Sequence, residues 1–315
     1  MRNEALRTLE ELAERDERVV FITGDLGYMV VEPFFRRFPG RSFNVGVAEQ
    51  NMLALATGIA EAGLLPFVYS IAPFSTLRPF EFIRNGPVLQ NLPVRIIGVG
   101  GGMDYGINGP THYAIDDVGV LRTQPGLTII APADRRQTRA ALEATWDIPG
   151  PVYYRLSKGG VESLPGLEGR WDESGVQIVG EGDGSVALVA MGGAGRELLP
   201  AAETLARRGV RATTVVVSRP SPPPTGALAD LVRRHELVVT VESHYITGGL
   251  GSLVCEVAAE TPAAALVRRC AVRVPPVDQV GSAAHMARAT ATDHVALVET
   301  VLAELLDLRA GVRER

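Results

Sequence analysis

The chain has 315 residues, of which 46% are hydrophobic and 21% are charged, so it is long enough to build two globular domains with buried cores. Its net charge of -5, without any block rich in lysine or arginine, argues against a nucleic-acid partner. The two cysteines, Cys255 and Cys270, are too few for a disulfide framework and lack the spacing of zinc ligands.

The N-terminal twenty residues are charged and amphipathic. They predict a helix rather than a secretory signal peptide, which would combine a basic start with an apolar core. No later apolar run approaches the ~20 residues that a membrane-spanning helix needs. We therefore expect a cytoplasmic protein that has no membrane partner.

Short β-branched runs alternate with helical patterns along the first half of the chain. This alternation is typical of the α/β fold class, in which a mainly parallel sheet carries helices on both faces. Helices are predicted at Ala48 to Gly63 and after Pro79. The predicted strands are Val19 to Thr23, Ser42 to Val45, Phe67 to Ser70, Val94 to Val99, Thr128 to Ala131 and Val152 to Leu156.

The second half repeats the pattern and predicts a second α/β domain. Its predicted strands and helices are Val186 to Met191, Arg196 to Arg208, Ala212 to Val216, Thr225 to His235 and Leu237 to Glu242. Between the halves, residues 157–180 are rich in Gly, Ser, Glu and Pro, which is typical of a linker. We place the first domain at residues 1–165, the linker at 166–180 and the second domain at 181–315.

The segment Gly46 to Met52 reads GVAEQNM and follows the second predicted strand. Glu49 then lies in the first turn of a helix at a strand end, where open α/β sheets bind ligands. A carboxylate at this position also complements the positive end of the helix dipole, without any ligand. These residues taken alone leave both interpretations open.

A glycine-rich loop, Gly100 to Asp117, follows the fourth predicted strand. Glycine lets backbone approach a ligand closely, and His112 lies just before a helix that Asp116 and Asp117 begin. A histidine at such a junction beyond a strand end is where proton-transfer groups meet substrates. A structural or solvated histidine is the alternative.

Three motifs share their order and spacing with a known family. Gly46 to Met52, Gly109 to His112 (GPTH) and Ala131 to Asp134 (APAD) resemble the pyrimidine-binding domain of thiamine-diphosphate-dependent transketolases. The resemblance continues through Gly150 to Lys158 (GPVYYRLSK). It implies an enzyme that transfers a two-carbon ketol unit between sugars or sugar phosphates.

The second half is similar to the C-terminal domain of the same family, through Glu242 to His244 (ESH) and Gly248 to Ser252 (GGLGS). The whole chain thus resembles the C-terminal subunit of a split, two-component transketolase. Glu242 and His244 are expected to be structural or interfacial, because this domain is not catalytic in the family.

A full-length transketolase begins with a domain that binds diphosphate and Mg²⁺ through Gly-Asp-Gly and a later asparagine, and we expect no such domain in this protein. Gly182 to Gly184 (GDG) leads straight into the strand Val186 to Met191, and a turn of this kind needs no metal. The resemblance therefore implies no metal site in this chain. It implies a partner subunit that holds the diphosphate and Mg²⁺, and a homodimer of this chain within a heterotetramer.

The resemblance also implies a cofactor site. The family glutamate that matches Glu49 hydrogen-bonds N1′ of the aminopyrimidine and promotes removal of the C2 proton, which requires a carboxyl group able to share a proton. Phe74 matches the aromatic residue that packs against the pyrimidine, although a plain core aromatic is the alternative, and Ile71 and Leu77 replace neighbouring aromatics. The implied cofactor contacts are Glu49, Gln50, Asp25, Phe74, Ile71 and Leu77.

The implied substrate contacts are His112, Asn108, Arg2 and Lys158. His112 would contact or protonate sugar hydroxyls, and Asn108 stands where many relatives have an aspartate. Arg2 and Lys158 match arginines that bind the substrate phosphate. A second family histidine falls at Gly100, where we expect a lost donor and open space. We therefore expect a bulkier, modified or differently phosphorylated sugar substrate, and poor turnover of pentose phosphates.

Three other functions compete with this interpretation. One is a decarboxylating synthase of the deoxyxylulose-phosphate type, which shares the GPTH motif. Another is the beta chain of a 2-oxo acid dehydrogenase, which also has a glutamate-bearing helix. The third is a non-catalytic scaffolding paralogue, although such a protein would have no need of Glu49 and His112 together.

Overall fold

The structure is a computed structural model that describes residues 1–309, and its first half is built on a six-stranded sheet. All strand pairs are parallel, in the order β2-β1-β3-β4-β6-β5. The strands are β1 (Val19–Thr23), β2 (Ser42–Asn44), β3 (Leu65–Ile71), β4 (Arg95–Val99), β5 (Thr128–Ile130) and β6 (Val152–Leu156). Every residue of β1, β4 and β6 is buried, because helices cover both faces of the sheet.

Seven α-helices surround this sheet. They are α1 (Arg2–Arg15), α2 (Glu32–Arg37), α3 (Glu49–Glu61), α4 (Ala72–Thr76), α5 (Phe80–Ile83), α6 (Asp117–Leu121) and α7 (Arg135–Thr145). Short 3₁₀ turns occupy Pro39–Arg41, Gly106–Asn108 and Pro110–His112, and Arg84–Val88 is π-helical. Helix α3 confirms the helix predicted around Glu49, with ends one and two residues inside the predicted ones.

The second half is built on a five-stranded sheet in the order β11-β10-β8-β9-β7. Its strands are β7 (Val176–Gly180), β8 (Val186–Met191), β9 (Thr213–Val217), β10 (Leu237–Tyr245) and β11 (Leu266–Val272). Its α-helices are α8 (Leu198–Ala206), α9 (Thr225–Arg234), α10 (Leu250–Ala259), α11 (Ala283–Ala289) and α12 (His294–Arg309), and Gly192–Glu197 is a 3₁₀ segment. The two-domain α/β prediction is confirmed.

Strand β7 occupies the end of the segment that composition predicts to be a linker, residues 166–180. It pairs antiparallel with β9, whereas the other pairs in this sheet are parallel. Its Gln177 is buried and accepts a hydrogen bond from the Ser218 hydroxyl at 2.8 Å. The strand itself reads VQIVG, but it follows residues rich in Gly, Ser, Glu and Pro, so the composition of the whole segment favours a linker, whereas the pairing with β9 shows a strand.

The two halves are joined by a buried hydrogen-bond network. Arg155, at the end of β6, donates to a carboxylate oxygen of Asp117 at 2.9 Å and to the backbone oxygen of Ser243 at 3.0 Å. The ring of His244 accepts from the Gly119 amide at 3.1 Å through Nε2. One apolar core cluster contains residues of both halves, among them Ile129 and Val217. The first sheet is therefore held in a fixed relation to the second.

Within residues 1–309, no helix combines the length and the apolar character required to span a bilayer. The longest, α12, has sixteen residues.

Candidate active site

Glu49 lies at the carboxyl edge of the first sheet, where β1 and β2 end. The chain leaves β2 through Gly46, whose φ of +73° suits glycine, and then begins α3 at Glu49. Gly24, just after β1, lies so close that a Cβ there would stand 3.1 Å from the Gly46 oxygen. The two strand ends therefore close over Glu49, and only 1% of this residue is exposed.

The partner of the buried carboxylate is Arg78. Its Nη1 donates to Glu49 Oε2 at 2.7 Å, and its guanidinium carbon lies 4.5 Å from the centre of the Phe74 ring. Arg78 lies in the turn between α4 and α5, and its side chain is 40% exposed. No motif points to Arg78, because the pairing joins residues 29 positions apart.

Aromatic rings continue the site from Phe74 towards the glycine-rich loop. The Phe74 and His112 ring centres are 5.2 Å apart in an edge-to-face arrangement, and Tyr105 lies 6.3 Å beyond His112. The Lys158 ammonium lies 4.6 Å from the centre of the Tyr105 ring. The Thr111 hydroxyl is 3.0 Å from Nδ1 of His112. Glu49, Phe74, His112 and Lys158 are thus connected by one series of side-chain contacts that passes through Arg78 and Tyr105.

Tyr105 corrects the expectation of open space at Gly100. Gly100 has φ +83°, and a Cβ built there would lie 2.2 Å from two ring carbons of Tyr105. The Tyr105 ring therefore fills the place where the family histidine would stand. Burial raises the pKa of the Tyr105 hydroxyl, and the nearby Arg2 offsets part of this rise. Tyr105 thus supplies a neutral hydroxyl close to Arg2 and Lys158.

The other expected site residues lie on the same or neighbouring segments of the chain. Ile71 and Leu77 flank α4 and are half-buried. Asp25 is exposed after β1 with φ +54°, and it exchanges two hydrogen bonds with the Asn44 side chain at 2.9 and 3.1 Å. Gln50 is exposed in the first turn of α3, and Asn108 is exposed in the glycine-rich loop.

The buried ion pair between Asp117 and Arg155 connects the glycine-rich loop to β6. The Asp117 carboxylate accepts from the Tyr153 hydroxyl at 2.7 Å and from Arg155 at 2.9 Å. Burial, reinforced by the neighbouring Asp117 charge, raises the pKa of Tyr153 well above its ordinary value. Arg155 also donates to the Ala114 backbone oxygen at 2.9 Å. The loop that carries His112 is therefore attached to β6.

The Gly182 to Gly184 turn lies away from this site, before β8. Asp183 accepts hydrogen bonds from the Ser185 hydroxyl at 2.6 Å and from its amide at 3.0 Å, and these bonds lower the pKa of the Asp183 carboxyl. The contacts are those of a local turn. Among residues 1–309, no cluster of three or more His, Cys, Asp or Glu side chains is arranged to hold a metal ion.

Two family models match the chain. The transketolase pyrimidine-binding domain matches residues 1–162, and the transketolase C-terminal domain matches residues 175–293. The first match covers the six-stranded sheet, and the second match covers the five-stranded sheet.

The chain is also similar to curated proteins and to a solved structure. An apulose-4-phosphate transketolase subunit of Actinobacillus succinogenes is 34% identical over 239 residues, covering 76% of each chain. A 6-deoxy-6-sulfo-D-fructose transketolase subunit of Clostridium sp. is 33% identical over 274 residues, covering 87% of this chain and 84% of the relative. A solved split-gene transketolase, described as an inactive beta4 tetramer, superimposes with a TM-score of 0.85 at 31% identity and 96% coverage of both chains.

Proposed function

The chain belongs to the transketolase family, and on this premise we propose that it is the subunit of a two-chain enzyme that binds the pyrimidine half of thiamine diphosphate. The observation that supports this most strongly is the buried Glu49 carboxylate beside the Phe74 ring, at the carboxyl edge of the first sheet. Relatives that are named as subunits, and that match over most of their length, support the two-chain arrangement.

The residues present fit the aminopyrimidine of the cofactor. A flat guanidinium already lies over Phe74 and hydrogen-bonds Glu49, so a flat ring whose N1′ shares a proton with the Glu49 carboxyl can take the same place. In the proposed site Phe74 packs against the ring, Ile71 and Leu77 border it, and Asp25 and Gln50 lie at its edge. When bound, thiamine diphosphate supplies the nucleophilic C2 carbon that accepts and passes on a ketol unit.

Glu49 is the proposed catalytic carboxyl group. It would hold a proton between its carboxyl oxygen and N1′ of the pyrimidine, and this contact promotes removal of the C2 proton. Only 1% of Glu49 is exposed, so water does not compete strongly for that hydrogen bond. His112 is the second proposed catalytic residue, placed beside Phe74 to contact or protonate a sugar hydroxyl.

The proposed substrate is a sugar with an anionic group that is recognised by Arg2 and Lys158. Both side chains lie close to Tyr105, and Asn108 lies in the same loop. The names of the two relatives specify a sugar phosphate and a sulfo sugar, which supports a modified sugar here rather than the common pentose phosphates.

The diphosphate and Mg²⁺ are proposed to be held by a partner subunit, in a heterotetramer of two copies of each chain. Large apolar side chains are exposed at the carboxyl edge of the first sheet, including Tyr28 at 85%, Met29 at 81% and Val47 at 73%. A surface of this kind is typical of an interaction site. The solved relative, described as an inactive beta4 tetramer, supports a chain that assembles but requires a partner for activity.

A coupled ketol-transfer assay on the purified pair of subunits tests this proposal. The partner would carry the Gly-Asp-Gly motif followed by an asparagine. We expect transfer of a two-carbon unit between sugars, with a specificity constant for xylulose 5-phosphate and ribose 5-phosphate below about 10⁴ M⁻¹s⁻¹. A higher constant would contradict the substrate proposal.

Other substrates, tested on the same purified pair of subunits, distinguish the alternative functions. Release of carbon dioxide from pyruvate in the presence of glyceraldehyde 3-phosphate would identify a deoxyxylulose-phosphate-type synthase. Decarboxylation of a 2-oxo acid without any ketol acceptor would identify a dehydrogenase beta-type subunit. A folded, correctly assembled complex that binds cofactor but shows none of these activities would support the scaffolding paralogue.

A further inference from the structure

Arg78 contacts both groups that the proposed function assigns to the aminopyrimidine. Its Nη1 lies 2.7 Å from Glu49 Oε2, and its guanidinium lies 4.5 Å from the centre of the Phe74 ring. A guanidinium and an aminopyrimidine are both flat, delocalised groups that can hydrogen-bond a carboxyl group in their own plane and stack on an aromatic face. Arg78 therefore contacts the same two groups, the Glu49 carboxyl and the Phe74 ring, that the proposed ligand would contact.

We infer that Arg78 is an internal substitute for the aminopyrimidine, which covers the empty site and must leave when the cofactor binds. The inference rests on the proposed function. One carboxylate and one ring face serve both groups, so Arg78 and the pyrimidine exclude each other. Arg78 is thus a positioning residue that acts through Glu49 and sets how tightly the cofactor binds.

The two members of the ion pair differ in their freedom to move. Glu49 is 1% exposed and fixed in the first turn of α3, whereas 40% of the Arg78 side chain is exposed in a turn between two short helices. Water can therefore solvate the displaced guanidinium at a moderate cost in free energy. Without Arg78, the empty site would leave a buried carboxylate with no cationic partner. The ion pair thus stabilises the chain in the absence of cofactor, and it opposes cofactor binding.

Cofactor affinity in the reconstituted complex tests the inference directly. The probe is thiamine diphosphate with Mg²⁺, titrated into complexes that contain wild-type chain, Arg78→Gln or Arg78→Lys. Arg84→Gln is the matched control, because Arg84 is an exposed arginine six positions further along the chain. We expect Arg78→Gln to bind about 5-fold to 20-fold more tightly than wild type, as removal of a partly exposed ion pair would allow. Arg78→Lys should lie between the two, and Arg84→Gln should equal wild type.

Nuclear magnetic resonance of the arginine side chains provides a readout that is independent of cofactor affinity and activity. In the ¹⁵N-labelled full-length chain, the Arg78 signal is assigned by its loss in Arg78→Lys. We expect it to shift towards the position of a solvated arginine in Glu49→Gln, and to make the same shift when cofactor binds the wild-type complex.

The possible outcomes are distinct. Weaker or unchanged cofactor binding in Arg78→Gln would overturn the inference, because the arginine would then hold the ligand or lie outside its site. An Arg78 signal that Glu49→Gln leaves unmoved would also overturn it, since no pairing would exist in solution. Failure of the wild-type complex to bind thiamine diphosphate at all would instead refute the proposed function, whatever the Arg78 signal shows.

Discussion

Glu49 owes its position to two backbone features rather than to its own side chain. Gly46 turns the chain out of β2 with φ +73°, and Gly24 lets the end of β1 approach within contact distance. A carboxylate that is so deeply buried needs a partner, which Arg78 supplies in the unliganded chain. The proposed catalytic group is therefore placed by the sheet edge and neutralised by a neighbouring turn.

Replacement of Glu49 by glutamine should lower ketol transfer about 100-fold to 10,000-fold, because an amide cannot share the proton at N1′. Deuterium exchange at C2 of the cofactor in the reconstituted complex measures the affected step. Glu61→Gln, at the exposed far end of α3, is the control and should exchange at the wild-type rate. Exchange at that rate in Glu49→Gln would remove Glu49 from the mechanism.

The Tyr105 ring should prevent a side chain from being accommodated at Gly100. Gly100 and Gly126 both have φ +83°, but a Cβ at Gly100 would meet the Tyr105 ring at 2.2 Å, whereas a Cβ at Gly126 meets nothing within 4 Å. Both alanine variants suffer the same backbone strain, of about 1 kcal/mol. Gly100→Ala should lose about 1 to 3 kcal/mol more than Gly126→Ala, because of the overlap with Tyr105.

Urea denaturation of the two variants measures this difference. Addition of Tyr105→Ala to each variant gives a double-mutant cycle, and it should remove the extra cost in Gly100→Ala. Equal stability of the two single variants would show that Tyr105 does not occupy this place in solution.

At the scale of elements, a carboxylate from β10 caps helix α10. Glu242 is fully buried, and its two oxygens accept from the Leu250 amide at 2.6 Å and from the Gly251 amide at 2.7 Å. A negative charge at a helix N-terminus satisfies amides that have no partner within the helix, and it complements the helix dipole. Glu242 therefore has a structural role in the second domain, as the sequence leads us to expect.

Glu242→Gln should lower the free energy of unfolding by about 1 to 3 kcal/mol, because the amide nitrogen would face a backbone N–H group in place of an accepting oxygen. Thermal or urea unfolding measures the loss. Glu260→Gln, exposed beyond the other end of the same helix, should change stability by less than about 0.5 kcal/mol. If the two variants are equally stable, the cap contributes nothing.

At the scale of the whole molecule, the proposed cofactor contacts lie at an outer edge of the first sheet. They include an apolar ring and a carboxylate for the pyrimidine. Residues 1–309 show no cluster of three or more His, Cys, Asp or Glu side chains arranged to hold a metal ion. In the proposed assembly, the partner subunit holds the diphosphate and its Mg²⁺.

The isolated chain should bind thiamine diphosphate at least about 100-fold more weakly than the reconstituted complex does, because charge-assisted contacts to the diphosphate are missing. Isothermal titration calorimetry with and without Mg²⁺ measures both affinities. Tight, magnesium-dependent binding to the isolated chain would contradict the two-chain proposal.

The reconstituted enzyme should contain two copies of each subunit, with each cofactor between unlike chains. Light scattering coupled to gel filtration gives the mass of the complex, and the ketol-transfer assay is run on the same fractions. A fully active one-to-one heterodimer would show that this arrangement is wrong.

Local patterns in the sequence determine much of this protein. Alternation of β-branched runs and helical periods is a property of neighbouring residues, so both α/β sheets and helix α3 can be predicted from it. Short motifs around Glu49 and His112 identify the family for the same reason, since each motif is one continuous turn beside a strand end. The residues before Val176–Gly180 are rich in Gly, Ser, Glu and Pro and conceal strand β7, which its pairing with β9 identifies.

Tertiary structure alone decides which side chains meet in the site. The Arg78 to Glu49 ion pair joins residues 29 positions apart, and no motif contains both. Gly100 indicates open space in the sequence, but the Tyr105 ring fills that space in the folded chain. The physical reason is the same in both cases: a sequence specifies where backbone can turn, whereas the contents of a pocket depend on how separate side chains pack into a shared volume.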